Sequence, residues 1–185
     1  MIEATALRKG TTFTSDNELF KVLDYNHHKM ARGGATVRVK IRNLRSGAIF
    51  EKTFNGGERI EDIRLDHTEA QYLYNDGDLY YFMDTETYEQ PAFSQETVEE
   101  IIPYLTENLV VKISSYNNEP LDIEIPITVE LEVIDAEPGF AGDTAQGATK
   151  PVTVSTGLVV QTPLFVQIGD TIRIDTRTGE YITRV

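Results

Sequence analysis

The chain has 185 residues, with 17 Lys and Arg against 30 Asp and Glu, and so a formal net charge of −13 at pH 7. Taken over the whole chain, this excess of acid argues against a nucleic-acid-binding protein. The lack of cysteine excludes disulfides, thiolate metal sites and cysteine nucleophiles, and it favours a reducing compartment such as the cytoplasm. No apolar run reaches the length of a signal peptide or a membrane span, so we expect no membrane partner.

The charges are divided unevenly along the chain. Residues 1–64 carry 12 basic and 8 acidic side chains (+4), residues 65–127 carry 1 and 14 (−13), and residues 128–185 carry 4 and 8 (−4). Between Asp24 and Glu51 there are six basic residues and no acidic one: Lys29, Arg32, Arg38, Lys40, Arg42 and Arg45. A local basic cluster neutralises phosphates even on an acidic protein, so the sequence indicates an RNA-binding face, with a solvated strand face as the alternative.

In the first segment, β-strands are predicted over residues 19–23 and 36–42. The second strand alternates strictly, so one of its faces is expected in a core: Val37, Val39 and Ile41. Its other face is expected to form an outward cationic row: Arg38, Lys40 and Arg42. Gly33 and Gly34 allow the chain to reverse, which places Arg32 at or beside a hairpin tip. The whole tip segment comprises Lys29, Met30, Ala31, Arg32, Gly33, Gly34 and Ala35.

Residues 65–127 predict a hairpin with its turn at 75–77 and strands over 109–113 and 123–125. One short helix is predicted after Ser94, up to or near Pro103, because four apolar residues follow helical spacing. Those four residues are Val98, Ile101, Ile102 and Leu105.

The last segment predicts six strands, over residues 128–134, 152–155, 158–161, 164–168, 171–175 and 181–184. The pattern D-T-x-T-x-E occurs at 84–89 and again at 175–180, which suits two related barrels. Many short strands with one helix predict an all-β fold of small barrels. The expected domains are residues 1–64, 65–127 and 128–185.

The sequence offers little support for catalysis. Asp24, His27 and His28 are near one another, but adjacent strand residues face opposite sides and no third ligand follows, so we expect no metal site. Residues 142–150 resemble the start of a phosphate-binding loop but lack its lysine and hydroxyl pair. A carboxylate run on the predicted helix is typical of a solvated face: Glu96, Glu99 and Glu100. We therefore expect neither an enzyme nor a cofactor.

Several runs of residues resemble a known family. They include Pro-Gly-Phe-Ala-Gly-Asp-Thr-Ala at 138–145, Ser-Thr-Gly at 155–157, Pro-Leu-Phe-Val at 163–166, Asp-Thr-Arg-Thr-Gly-Glu-Tyr at 175–181 and Leu-Tyr-Asn-Asp-Gly at 73–77. In these runs the chain resembles bacterial translation elongation factor P, over essentially its whole length.

The resemblance implies an SH3-like (KOW-like) N-terminal barrel followed by two oligonucleotide-binding (OB) barrels, in an L-shaped, tRNA-like outline. It implies a monomer that binds the ribosome between the peptidyl (P) and exit (E) sites and relieves stalling at consecutive prolines by positioning peptidyl-tRNA. Its partners would be peptidyl-tRNA and the ribosomal RNA and proteins near the E site.

The same resemblance assigns roles to individual residues. Arg32 falls on the residue that is modified in the family, and the tip segment around it would reach the CCA end of peptidyl-tRNA. A loop near the E-site codon would contain Gly142, Asp143 and Thr144. Contacts to tRNA or the small subunit would come from Tyr181 and Arg184.

The tip departs from the usual pattern. Met30-Ala31 replaces Pro-Gly ahead of the tip residue, and arginine at the tip excludes lysine β-lysylation. In this respect the chain resembles the subset of the family in which a rhamnose is attached to the tip arginine. Arg32 is then either rhamnosylated by a modifying enzyme or bare. An Ala-Arg-Gly tip also occurs in the related elongation factor P-like group, which usually lacks the Gly-Asp-Thr loop and the 175–181 run.

Two alternatives come from other classes of protein. One is a stand-alone single-stranded RNA-binding OB protein that uses exposed aromatics such as Tyr80 and Tyr81. The other is a purely structural β protein, in which the basic face binds nothing.

Overall fold

The computed structural model of the protein describes residues 1–28, 34–139 and 147–185, and these residues form three β-sheets. The first sheet has six strands: β1 (Ile2–Glu3), β2 (Thr12–Ser15), β3 (Glu18–His28), β4 (Thr36–Asn43), β5 (Ile49–Asn55) and β6 (Arg59–Asp62). Their order across the sheet is β1-β6-β2-β3-β4-β5, and a short 3-10 turn, Ala4–Ala6, follows β1.

The core of the first sheet is built from alternate strand positions. On β4, Val37, Val39 and Ile41 are fully buried, which confirms the predicted apolar face. From β2 and β5, Phe13 and Phe54 meet edge to face, with ring centroids 5.8 Å apart. Each fully buried side chain of this size stabilises the fold by about 1.5–3 kcal/mol, so a one-residue slip of β4 would expose its whole apolar face.

The second sheet has five strands: β7 (Asp66–Asn75), β8 (Leu79–Asp84), β9 (Ala92–Ser94), β10 (Val110–Tyr116) and β11 (Glu119–Glu124). Their order is β11-β10-β7-β8-β9. The predicted β7–β8 hairpin is confirmed: Gly77 has φ +104°, and the Asp76 carboxylate accepts the Leu79 N–H at 2.9 Å. Between β10 and β11, Asn117 and Asn118 both have positive φ, as two-residue hairpin turns require.

The predicted helix is much shorter than its apolar spacing indicated. Helix α1 covers only Gln95–Val98, and Ile102–Tyr104 forms a separate 3-10 turn. Pro103 lies inside that turn, and its ring disfavours a helical conformation for the residue before it. Ser94 precedes α1, but its hydroxyl lies 3.0 Å from the Thr97 hydroxyl instead of capping a backbone N–H, so the capping prediction is wrong.

The third sheet also has five strands: β12 (Thr128–Ala136), β13 (Thr149–Val154), β14 (Val159–Pro163), β15 (Thr171–Asp175) and β16 (Tyr181–Arg184), in the order β14-β13-β12-β15-β16. The strand predicted over residues 164–168 is wrong. Two turns occupy that stretch, because the Val166 N–H bonds the Pro163 carbonyl at 3.2 Å and the Asp170 N–H bonds the Gln167 carbonyl at 3.1 Å.

The second and third sheets share one strand order. In each, the first strand is central and is flanked by the second and fourth, which gives the order 3-2-1-4-5. Five strands in this arrangement fit the OB fold, and the all-β fold class is confirmed. The repeated D-T-x-T-x-E motif does not mark equivalent positions, because the turn at 84–89 joins the second and third strands of its sheet whereas the turn at 175–180 joins the fourth and fifth.

The described residues cluster into two compact units. One comprises residues 1–67 and 114–122, and the other comprises residues 68–113 and 123–185. The boundaries of the three domains expected from the sequence remain predictions. None of the helices in the described part of the chain is long and apolar enough to cross a membrane.

Candidate functional site

The candidate site is the hairpin of β3 and β4. The two strands pair from Phe20↔Asn43 to His28↔Thr36, so residues 29–35 connect their paired ends. Residues 19–23 of β3 are buried or half-buried, whereas every residue of its far half, 24–28, is exposed. The far half of β3 is therefore accessible to solvent, although its β4 partners Val37 and Val39 are buried in the core.

A β-bulge separates the two halves of the hairpin. The register shifts between Val22 and Asp24, which makes Leu23 the extra residue. Beyond the bulge, Tyr25 pairs with Val39, so β3 places an exposed aromatic opposite a buried valine.

The tip lies only partly within the described residues. Gly34 and Ala35, just before β4, are exposed. The predicted tip residue Arg32 and its neighbours lie outside the described residues: Lys29, Met30, Ala31 and Gly33. The predicted E-site codon loop also lies outside them: Gly142, Asp143 and Thr144. Their roles stay predictions.

The outward face of β4 presents charge, as predicted, but the charge is mixed. Arg38 and Lys40 are exposed. Pairing of the strands sets Lys40 opposite Asp24 on β3 and Glu51 on β5, and Arg38 lies 3.9 Å from the Glu51 carboxylate. The acidic residues that bound the basic run in the sequence therefore lie beside it in the sheet, which corrects the interpretation of a purely cationic face.

Arg42, the third member of the predicted row, is engaged elsewhere. Its guanidinium donates to the Asp122 carboxylate at 2.6 Å, and Lys21 Nζ donates to the other carboxylate oxygen at 3.0 Å. The Asp122 side chain is only 5% exposed, so this is a structural ion cluster. A contact between Arg42 and RNA stays a prediction, and it would compete with Asp122.

A second cluster, which sequence reasoning missed, supports the far half of β3. The Arg8 guanidinium lies 5.2 Å from the centroid of the Tyr25 ring and 3.5 Å from His27 Nε2. The Tyr25 and His27 rings meet edge to face at 5.3 Å. The i, i+2 spacing of the two rings on one strand was a signal for this cluster, but nothing local in the sequence indicated Arg8.

His27 and His28 are both exposed on β3. Within the described ranges, no group of three or more His, Cys, Asp or Glu side chains could hold a metal ion.

The aromatics proposed for a stand-alone RNA-binding protein are differently placed. Tyr80 is buried, which corrects its expected exposure. Tyr81 is half-buried: it stacks on Tyr74 with centroids 4.7 Å apart, and its hydroxyl donates to the Asp76 carboxylate at 3.0 Å. That hydrogen bond raises the pKa of Tyr81, while the Leu79 N–H and then the Tyr81 hydroxyl lower the pKa of Asp76.

The two predicted contact residues of the last strand have distinct surroundings. Tyr181 is half-buried and packs against the core of the third sheet. Arg184 is exposed; its guanidinium lies 5.0 Å from the centroid of the Phe165 ring and 3.4 Å from the Asp170 carboxylate. Arg184 is therefore oriented by two neighbours, while its role in binding stays a prediction.

Fold and hairpin together define an all-β protein of small barrel-like modules with an exposed, charged hairpin on the first. Family models match the chain in three consecutive parts: the elongation factor P KOW-like domain over residues 3–60, the elongation factor P OB domain over residues 65–123, and the C-terminal part of elongation factor P over residues 129–184. The chain belongs to the elongation factor P family, which makes it a translation factor whose general partners are the ribosome and tRNA.

Individual relatives match along the whole chain. Elongation factor P of Thermoanaerobacter sp. (strain X514) is 53% identical over 185 residues, which is 100% of both chains. Elongation factor P of Caldanaerobacter subterraneus subsp. tengcongensis is 52% identical over 185 residues, and that of Clostridioides difficile (strain 630) is 50% identical, again with 100% of both chains covered. The family predicted from the sequence is thus confirmed.

Proposed function

We propose that the protein binds the ribosome between the P and E sites and promotes peptide-bond formation at consecutive prolines. The observation that carries this proposal is the β3–β4 hairpin of a chain that matches the elongation factor P family from end to end. On β3 the hairpin presents five consecutive exposed residues, 24–28, directly ahead of the segment that the family resemblance assigns to peptidyl-tRNA. The side chains of this exposed stretch of β3 are accessible to a partner.

The mechanism is one of positioning. Residues 29–35, with Arg32 at the tip, would contact the CCA end of peptidyl-tRNA and favour the geometry in which the amine attacks. The benefit is entropic, because holding the reacting groups in line reduces the freedom that must be lost in the transition state. The ribosome supplies the chemistry, so the protein acts without a catalytic residue or a cofactor of its own.

Rigidity of the hairpin is the property that this mechanism requires. The hydrogen bonds between β3 and β4 fix the direction of these two strands. The Arg8 guanidinium contacts the side chains of Tyr25 and His27. Contacts with peptidyl-tRNA that are stronger in the transition state than before it raise the rate of peptide-bond formation. A poorly positioned tip could not make such contacts selectively.

The remaining predicted contacts position the protein on the ribosome. Arg38 and Lys40 are exposed and would face phosphates, with Asp24 and Glu51 beside them limiting unspecific RNA binding. At the other end of the chain, the loop with Gly142, Asp143 and Thr144 would lie near the E-site codon. Tyr181 and Arg184 would contact tRNA or the small subunit.

In this proposal the protein acts as a monomer in the cytoplasm. A modifying enzyme attaches rhamnose to Arg32. Intact-mass and peptide mass spectrometry of the native protein tests the modification. An added deoxyhexose mass on the Arg32 peptide supports it, and an unmodified peptide removes it.

Reconstituted translation of a Pro-Pro-Pro reporter tests the function. Native protein should speed synthesis of this reporter and leave a reporter without prolines unchanged. Arg32→Ala should lose most of the effect, whereas Arg59→Ala, an exposed arginine on β6, should keep it. No proline-specific stimulation by the native protein would overturn the proposal, and tight binding to free oligonucleotides without stimulation would favour the stand-alone RNA-binding alternative.

A further inference from the structure

Residues 128–185 contain four basic side chains, and three of them pair with a carboxylate. The pairs are Arg173–Glu130 at 2.6 Å, Arg177–Asp175 at 2.6 Å and Arg184–Asp170 at 3.4 Å. The ammonium of the fourth, Lys150, makes no hydrogen bond or ion pair with any residue that the structure describes. Its charge is thus not balanced by a neighbour in the described part of the chain.

Lys150 is nevertheless a buried residue, only 8% exposed. On β13 it shares the buried side of the strand with Val152 and Val154, and it pairs with the fully buried Thr162 of β14. Its hydrocarbon stem therefore packs on the core side of the third sheet. Every enclosed side-chain nitrogen or oxygen among the described residues has a hydrogen-bond partner, so the unpaired Nζ must itself be open to solvent.

Placing a lysine in this way is unfavourable unless its charge has a partner. A buried lysine stem loses rotamer freedom, and a crowded ammonium loses part of its water. Lysine is among the residues least often buried when its charge is unpaired. A methionine would fill the same space without these losses. An anion from outside the chain is the partner that would balance the charge.

Lys150 lies at the base of the predicted E-site codon loop. Its neighbour Thr149 pairs with Pro163, at the end of β14. On the other side of the loop, a Cβ atom at Gly139 would approach the Leu164 side chain to 3.2 Å. Both described ends of the loop therefore lie against the same two adjacent residues, and the Lys150 ammonium is open to solvent beside them.

We propose that Lys150 binds a backbone phosphate of RNA beside the E site. The general partners of the family are the ribosome and tRNA, and the anion that both present is the RNA phosphate, which lysine pairs with as a point charge. A phosphate contact fixes position without reading a base, so Lys150 would hold the loop in place whatever the codon. The inference rests on the proposed ribosome binding and adds a phosphate-binding residue to it.

Binding of the fluorescently labelled full chain to ribosomes tests this assignment. The ribosomes carry mRNA and a P-site tRNA with the E site vacant, and Kd is measured from about 50 to 200 mM potassium chloride. Lys150→Met keeps the apolar stem and removes the charge. It should weaken binding about tenfold and reduce the slope of log Kd against log salt concentration by about 0.7, as expected for one lost phosphate contact.

Lys112→Met is the matched control, because Lys112 is exposed and is the single basic residue of residues 65–127. It should leave the affinity and the salt slope unchanged, and equal weakening by both variants would overturn the proposal. Thermal unfolding gives a structural readout: Lys150→Met should unfold at the native midpoint or above it, because no described carboxylate loses a partner. A midpoint lower by about 2 °C or more would reveal a stabilising partner inside the chain and would overturn the proposal.

Directed cleavage identifies the partner. The chain has no cysteine, so an iron chelate can be tethered at Thr149→Cys, an exposed position beside Lys150. Hydroxyl radicals from the iron should cut an RNA strand of the bound ribosome, whereas a lack of RNA cuts would assign Lys150 to an acidic protein and overturn the proposal. Native affinity and salt slope in Lys150→Met would overturn this inference alone. Failure of the native chain to bind ribosomes would overturn the proposed function as well.

Discussion

Arg42 and Asp122 are 80 residues apart in the chain, yet the guanidinium donates to the carboxylate at 2.6 Å. Lys21 completes the cluster from the neighbouring strand β3. The three side chains tie residues 114–122, the part of β10 and β11 around their connecting turn, to the first sheet within one compact unit. An apolar group packs in the same unit: Leu19, Leu44 and Leu121, with Ile63, Leu65 and Tyr116.

Loss of the Asp122 carboxylate should therefore be costly. Asp122→Ala would remove the carboxylate that both Arg42 and Lys21 contact, and these two side chains are only 26% and 21% exposed. Removing one member of a part-buried ion pair strands the opposite charge, so we expect a loss of about 2–3 kcal/mol in the free energy of unfolding. Urea denaturation measures it.

The exposed pair Arg45 and Glu119 provides the control. Arg45, in the turn after β4, and Glu119, on β11, are 48% and 47% exposed and their side chains are 3.1 Å apart. Glu119→Gln should cost much less than Asp122→Ala, because solvent screens the exposed pair. Equal losses for Asp122→Ala and Glu119→Gln would show that burial does not set the strength of these contacts.

Structural features that depend on residues close together in the sequence could be predicted from it. Alternation in residues 36–42 predicted the buried face of β4, and Asn75-Asp76-Gly77 predicted the β7–β8 turn. It could not predict what pairing brings together, such as Asp24 and Glu51 on either side of Lys40. Register depends on bulges and on burial across strands, which no local pattern specifies.

Two local predictions also failed for physical reasons. Tyr80 and Tyr81 were both expected at the surface, although adjacent strand residues face opposite sides, and Tyr80 is in fact buried. The predicted helix satisfied apolar spacing, but Pro103 cannot continue an α-helix, and the chain forms a 3-10 turn there instead.

Arg8 should support the far half of β3. Its guanidinium contacts the Tyr25 ring and His27 and donates to the Leu7 carbonyl at 2.7 Å. Arg8→Ala removes a cation–π contact worth about 0.5–1 kcal/mol at an exposed site, so amide exchange at residues 25–28 should quicken about twofold to fivefold. Hydrogen exchange measured by mass spectrometry or NMR detects this change.

Lys9→Ala is the matched control for that experiment, because it removes an exposed cation at the next position of the chain. It should leave exchange at residues 25–28 unchanged. If both variants quicken exchange equally, or neither does, the Arg8 contacts do not stabilise the hairpin.

Gly179 should be sensitive to any side chain. Its φ of +75° disfavours alanine by about 1 kcal/mol, and the added Cβ would lie 3.2 Å from the Tyr104 hydroxyl. Gly157 has φ +89° with open space around it, so Gly157→Ala measures the backbone cost alone. Gly179→Ala should destabilise by about 1 kcal/mol more than Gly157→Ala in thermal or urea unfolding.

Tyr104→Phe tests the origin of that difference. With the hydroxyl removed, Gly179→Ala and Gly157→Ala should cost nearly the same. A difference that persists in the Tyr104→Phe background would mean that the contact with Tyr104 is not its cause.

Acid should weaken the turn at 175–180 within a defined pH range. The Arg177 side chain donates to both oxygens of Asp175, at 3.1 and 2.6 Å, and the Arg177 N–H adds a bond at 2.8 Å. These bonds lower the pKa of Asp175 from 3.8 to about 2. A carboxyl whose pKa is lower in the folded state binds its proton more weakly there than in the unfolded chain. Its stabilising contribution is therefore complete above pH 4 and is lost as the pH falls to about 2.

Thermal unfolding of the native protein and of Asp175→Asn across this range measures the effect. The variant should have the lower midpoint at pH 7, and the gap should narrow between pH 4 and pH 2 as the native carboxylate takes up its proton. Arg177→Ala removes the main cause of the shift, so in this variant the loss of stability below pH 4 should be smaller and should be complete at a higher pH. Asp135→Asn, at an exposed position on β12, is the control. A gap that stays constant down to pH 2 would mean that the charge of Asp175 does not stabilise the turn.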